Sequence, residues 1–166
     1  MSTAAASRHQ RGFTLVELII VILIIGILSA LALPRFINMG ADARTAKAQS
    51  IMGAVRSASQ VVRAAALVRG QTGATGSVVV DGVTIATVYG YPAGLAASSG
   101  ATGIVDAAGL DTTGNNNDAI ALSGGGSSAL VIAVNGAPTP ANCSVSYTQA
   151  AAANSSPTVA LTTTGC

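Results

Sequence analysis

The chain has 166 residues, half of them apolar, yet only 3% are aromatic and 8% charged, and it contains 19 glycines and 33 alanines. Globular domains carry about 25% charged residues, and so many small side chains suit close backbone packing better than a wide catalytic pocket. The net charge of +2, with one histidine and no tryptophan, gives little support to nucleic-acid binding by bulk electrostatics and disfavours an enzyme.

Met1 to Gly12 is a short polar leader carrying Arg8 and Arg11, and FTLVELIIVILIIGILSALAL follows from Phe13 to Leu33, 21 residues with Glu17 as the one charge. As a helix this run spans roughly 31 Å, about the hydrocarbon thickness of a bilayer. Basic residues stay cytoplasmic, so the leader is expected inside and everything after Leu33 outside. A secretory signal peptide has a shorter apolar region before its small-residue cleavage site. Ala30-Leu31-Ala32 offers such a site, but the run is too long and holds an acid. A plain anchor fits the length and leaves Glu17 unexplained, about one turn in, where an unpaired carboxylate is costly.

Arg11-Gly12-Phe13-Thr14-Leu15-Val16-Glu17-Leu18 resembles the class III signal of type IV prepilins and of type II secretion pseudopilins. The likeness continues through the apolar run, with Gly26 and Pro34 at family-like places. The resemblance implies cleavage after Gly12 by a membrane prepilin peptidase, which also N-methylates the new terminus, Phe13. It implies that Glu17 pairs with the Phe13 amine of a neighbouring subunit, setting the register of each incoming copy; an isolated anchor would instead let Glu17 snorkel to the headgroups. The chain then divides into a cleaved leader (1–12), a transmembrane and assembly half of the helix (13–33), and an exported headgroup that includes the amphipathic half of the helix (34–166).

From Ala41 to Gly70 the sequence is rich in Ala, with scattered Arg and one Lys. Ile51, Val55, Ala58, Val62 and Ala65 follow the rhythm of one buried helical face, while Arg56, Arg63 and Arg69 fall off that stripe, where they can be solvated. Gly70 is a natural helix stop. One helix is therefore expected from about Phe13 to Arg69. Pro34 and Gly26 should bend or loosen it, since proline removes a ladder bond and glycine lowers helix propensity.

Beyond Ser77 the pattern is that of strands. Val78-Val79-Val80, Asp81-Gly82 and Val83-Thr84-Ile85 form a hairpin signal, because Asp-Gly supplies the positive φ angles of a type I′ turn. Strands are also expected at Ala129–Val134, Ser144–Gln149 and Thr158–Thr163. The stretch from Gly94 to Gly126, rich in Gly, Ser, Ala and Asn, reads as loops with a short helix near Ile104–Ala108. The fold class expected is α+β, a type IV pilin fold in which the long helix packs on a small antiparallel sheet.

Cys143 and Cys166 both fall on the exported side, so a disulfide is expected, closing a C-terminal loop. Metal binding by this pair lacks His or acid partners, and a redox role lacks CxxC spacing. Asp111 to Asp118 is oxygen-rich and can be read as a calcium loop, but it lacks EF-hand spacing and reads better as solvated. Val88-Tyr89-Gly90-Tyr91-Pro92, Cys143–Tyr147 and Thr162–Cys166 resemble pilins of the mannose-sensitive haemagglutinin (MSHA) type. Asn142-Cys143-Ser144 and Asn154-Ser155-Ser156 match the N-glycosylation pattern by chance.

No nucleophile with a positioned base is visible, and His9 lies in the leader. No catalytic residue, cofactor or metal is expected. The resemblance implies a structural subunit of a type IV pilus, a homo-oligomeric helical filament for surface attachment and biofilm formation. The alternative is a pseudopilin of a periplasmic secretion pseudopilus. The implied partners are the prepilin peptidase and N-methyltransferase, the inner-membrane assembly machinery, the membrane before assembly, and host or surface ligands, with no nucleic acid. The precursor would cross the inner membrane once with its N-terminus cytoplasmic, and the mature chain would reach the cell surface. Loss of Arg8 and Arg11 with the leader would leave six basic residues against six acids, a neutral mature chain.

Overall fold

No turn or strand signal long enough to end a helix stands between Thr14 and Gly70, and the first element, α1, is a 54-residue helix over Leu15–Val68 that runs through Gly26, Pro34, Gly40 and Gly53. The computed structural model describes residues 13–95, 102–110 and 120–166, and of residues 33–38 it describes the helical backbone alone. The chain falls into two units, Met1–Met39 and Gly40–Cys166.

The second half of α1 ends as its sequence dictates. Gly70 adopts φ +67°, the left-handed conformation that costs glycine nothing. Its N–H bonds the Leu67 carbonyl at 3.2 Å, and the Gln71 N–H reaches back to Ala66 at 2.8 Å, a Schellman closure of the last turn.

Strands β1 (Gly76–Val80), β2 (Val83–Val88) and β3 (Tyr91–Pro92) form one antiparallel sheet. The Asp81-Gly82 turn has φ +49° and +80°, and Val80 pairs with Val83, so the type I′ hairpin forms where its dipeptide stands. A one-turn helix, α2 (Ile104–Ala107), follows at the expected place. Strands β4 (Ile120–Gly124), β5 (Leu130–Val134), β6 (Ser144–Thr148) and β7 (Thr158–Thr162) form a second antiparallel sheet in chain order.

The headgroup thus has two sheets where one was expected, because the buried stripe of α1 is long enough to serve both. Ala48, Ile51, Val55 and Ala58 pack with Ile104, Leu130, Ile132, Val145 and Tyr147 in one apolar cluster. One to two turns further, Val62 and Ala66 pack with Val78 and Ile85 in another. Ala65 is half-buried, and Ala66, four residues after Val62, takes the buried place assigned to it. Strand β4 lies in the stretch read as loops. Its apolar residues, Ile120 and Leu122, are only half-buried, and a short edge strand of that kind carries a weak alternation signal.

Tyr147 joins the sheets. It is fully buried on β6, and its hydroxyl donates to the Pro92 carbonyl of β3 at 2.7 Å. Burial pushes its phenol above the ordinary range, because the phenolate would lose its hydration. A raised folded-state pKa means that this stability is complete below the unfolded value, about pH 10, and is lost as pH climbs above it. In alkaline titrations of unfolding free energy, Tyr147→Phe is therefore expected to flatten the loss above pH 10. At neutral pH it should cost about 1 kcal/mol for the missing hydrogen bond.

Candidate functional site

Every residue from 13 to 32 is exposed. The large apolar side chains of this half range from 44% exposure at Val21 to 85% at Phe13. Leu15–Ala32 has a mean hydropathy of 3.0 and is long and apolar enough to cross a membrane. Glu17 stands in the first turn as the one charge among these residues.

Glu17 is not idle within its own chain. One carboxylate oxygen accepts the Thr14 backbone N–H at 2.9 Å and the Thr14 hydroxyl at 2.8 Å, while the Glu17 N–H donates to Thr14 Oγ1 at 3.2 Å. This is a reciprocal capping box that satisfies donors at the start of the helix, where an apolar setting offers no water to do so. The reading of Glu17 as a partner for another subunit overlooked it, although Thr14-x-x-Glu17 is the sequence signature of such a box. Phe13 is the residue before the cap and is almost fully exposed. Gly12 and the rest of the leader lie outside the described residues. The helical assignment runs through Gly26 and Pro34, and a side chain at Gly26 would meet nothing within 4 Å.

In the second unit, the disulfide joins Cys143 to Cys166 across 23 residues, with Cα atoms 4.8 Å apart. Around it the Gly165 N–H donates to the Asn142 carbonyl at 2.9 Å, and the Thr139 N–H to Gly165 at 3.2 Å. Only glycine fits at position 165, where a Cβ would lie 2.5 Å from the Thr139 oxygen. The Arg44 Nε–H donates to the Cys166 carbonyl, so α1 holds the C-terminal segment directly.

The arginines expected in solvent have tasks of their own. Arg63 is half-buried, donates to the Tyr89 carbonyl at 2.8 Å, and lies 4.7 Å from the centre of the Tyr91 ring. Arg69 is exposed and donates to the Val79 carbonyl at 2.8 Å. Arg56 is exposed as expected. Among the described residues no three His, Cys, Asp or Glu side chains cluster to hold a metal. The oxygen-rich stretch 111–118 lies outside the described residues.

The prokaryotic N-terminal methylation motif matches residues 7–33. The chain is 52% identical over 50 residues to the type IV narrow pilus major component of Thermus thermophilus, covering 30% of this chain and 43% of that protein. It is 36% identical over 96 residues to a type IV major fimbrial protein of Dichelobacter nodosus, covering 57% of each. It is 41% identical over 58 residues to the type IV major pilin protein of Myxococcus xanthus, covering 35% of this chain and 26% of that one. No solved structure gives a significant match. The chain thus carries a methylation motif and is homologous to type IV pilins, while spanning between 26% and 57% of the length of these relatives.

The headgroup contacts divide the arginines by consequence. Arg63→Gln is expected to lower unfolding free energy by about 1 to 2 kcal/mol, the worth of a part-exposed charged hydrogen bond to a carbonyl, whereas Arg56→Gln should leave it unchanged in chemical denaturation. Replacing both cysteines by serine should cost about 3 kcal/mol in the same assay, from the loop entropy returned to the unfolded chain.

Proposed function

We propose that this chain is a structural subunit of a type IV pilus, polymerised through the apolar half of α1. The observation that carries the reading is the exposed apolar helix with one acid in its first turn, set inside a methylation motif. Before assembly the bilayer covers that surface; in the filament, other copies do. The relatives' names, a pilus component, a fimbrial protein and a pilin, support a pilus subunit over a secretion pseudopilin and over an enzyme.

Processing on this reading cuts after Gly12 and methylates Phe13. The freed Phe13 amine is then a cation at the edge of an apolar bundle, and Glu17 is the anion nearest to it in sequence. A charged side chain costs roughly 2.5 to 3.5 kcal/mol at mid-membrane and less near the interface where Glu17 stands, and a copy whose amine meets a neighbour's Glu17 avoids that cost for both charges. The capping box holds the Glu17 carboxylate in a fixed rotamer and keeps one of its oxygens for this partner. Gly26 and Pro34 are the places where the helix would bend as it leaves the membrane for the filament. The precursor sits in the inner membrane with its leader cytoplasmic, and the mature chain is carried to the cell surface by the assembly machinery. The three segments Val88–Pro92, Cys143–Tyr147 and Thr162–Cys166 favour a filament of the MSHA type, serving attachment and biofilm formation.

Two substitutions test the reading. Glu17→Val should be cleaved and oxidised normally yet yield at least tenfold fewer surface filaments by electron microscopy; wild-type filament numbers would contradict the proposed pairing. Gly12→Val should leave the leader attached, visible as a heavier, membrane-bound chain on immunoblots, and no filaments should form.

A further inference from the structure

The charged side chains of the headgroup are few, and among the described residues most are committed. Arg44, Arg63 and Arg69 each hold a main-chain carbonyl, and Asp106 accepts the Gly103 N–H at 3.0 Å. Two kinds of site break that pattern. Arg56 is exposed and holds no partner among the described residues, and on the acidic side Asp81 and Asp42 are exposed and equally uncommitted.

Arg56 stands at a shallow cleft of about 410 Å³ between α1 and the start of β7, lined with it by Gln60, Ser156, Pro157, Thr158 and Val159. This surface offers a guanidinium, an amide and hydroxyls above an apolar floor. Asp81 stands at the end of the β1–β2 hairpin; close to it Val79, 47% exposed, lies on the face turned away from the buried Val78 and Ile85. The hairpin is held rigid by five paired positions and by the Arg69 bond to Val79, so little order has to be gained when its end is gripped.

The two surfaces cannot meet within one molecule. The hairpin end shares a groove with Ala54, Ala58 and Val61 of α1, whereas Arg56 and Gln60 project roughly a third of a turn away around the helix. Complementary patches on different sides of one chain make a head-to-tail contact, which builds a helical filament wherever the rotation between copies does not close into a ring.

We propose that the Asp81 end of the β1–β2 hairpin of one copy docks in the Arg56 cleft of a neighbouring copy, the carboxylate on the guanidinium and the outward-facing Val79 against Pro157 and Val159. The proposal rests on the filament reading above and supplies a headgroup contact to accompany the helix bundle. The other uncommitted acid among the described residues, Asp42, is less well suited: it stands on α1, without the exposed valine that a rigid hairpin end offers beside Asp81.

Charge reversal in the full-length chain, expressed in cells that assemble it, tests the contact. Arg56→Glu or Asp81→Lys alone should reduce surface filaments at least tenfold, and the two together should restore them to within twofold of the starting number. Asp81 sits at φ +49°, which asparagine tolerates and lysine resists, so Asp81→Asn serves as a second variant and should lose filaments severalfold. Steady-state level and Cys143–Cys166 oxidation report folding in every case. Single variants with normal filaments, a double variant as defective as either single, or rescue of Arg56→Glu by Asp42→Lys would each overturn the contact. Filaments indifferent to these charges would leave the pilus reading standing, whereas an unmodified chain that forms no filaments would defeat both.

Discussion

Fourteen large apolar side chains between Phe13 and Leu31 have nothing among the described residues to cover them. They are about half exposed to nearly fully exposed, and covering that surface is worth on the order of 15 kcal/mol at the usual transfer energies. That equals or exceeds the whole stability of an ordinary domain, about 5 to 15 kcal/mol. On the proposed reading a bilayer covers this surface before assembly and other copies cover it afterwards. Two further features fit that reading: one acid, already locked to the helix start by Thr14, and a helix that continues beyond the apolar run into a folded unit.

The second unit is built to be held by that same helix. Its stripe from Ala48 to Ala66 supports a four-stranded sheet and then a three-stranded one, with Tyr147 bridging them through the Pro92 carbonyl. Arg44, Arg63 and Arg69 extend from its flanks to carbonyls of the C-terminal segment, the β2–β3 turn and β1. Guanidinium groups spent on carbonyls leave a headgroup surface with few free charges. Such a surface can be packed against copies of itself with little desolvation cost.

The long helix, the hairpin and the three later strands were legible because each depends on local chemistry. A 3.6-residue stripe, an Asp-Gly turn, an apolar run at 129–134 and strand-like alternation at 144–149 carry their own signals. The disulfide was legible once topology placed both cysteines outside. What was hidden depended on distant partners. Strand β4 forms because β5 offers a free edge, and its own alternation is weak. The division into two sheets depends on how far along α1 each hairpin lands, which no local pattern states. Arg63 and Arg69 fall off the apolar stripe, as a solvated residue would, but long side chains reach neighbouring strands that the helix pattern does not reveal. The capping box at Thr14 and Glu17 was legible in principle; the acid was read for its charge and not for its spacing.

The most direct test of the account is the N-terminus and location of the mature chain. Filaments sheared from the cell surface should contain this chain as their main component, beginning at an N-methylated Phe13 by mass spectrometry and appearing as thin fibres by electron microscopy. A mature chain that begins at Leu33, or that is recovered only in soluble form, would contradict it.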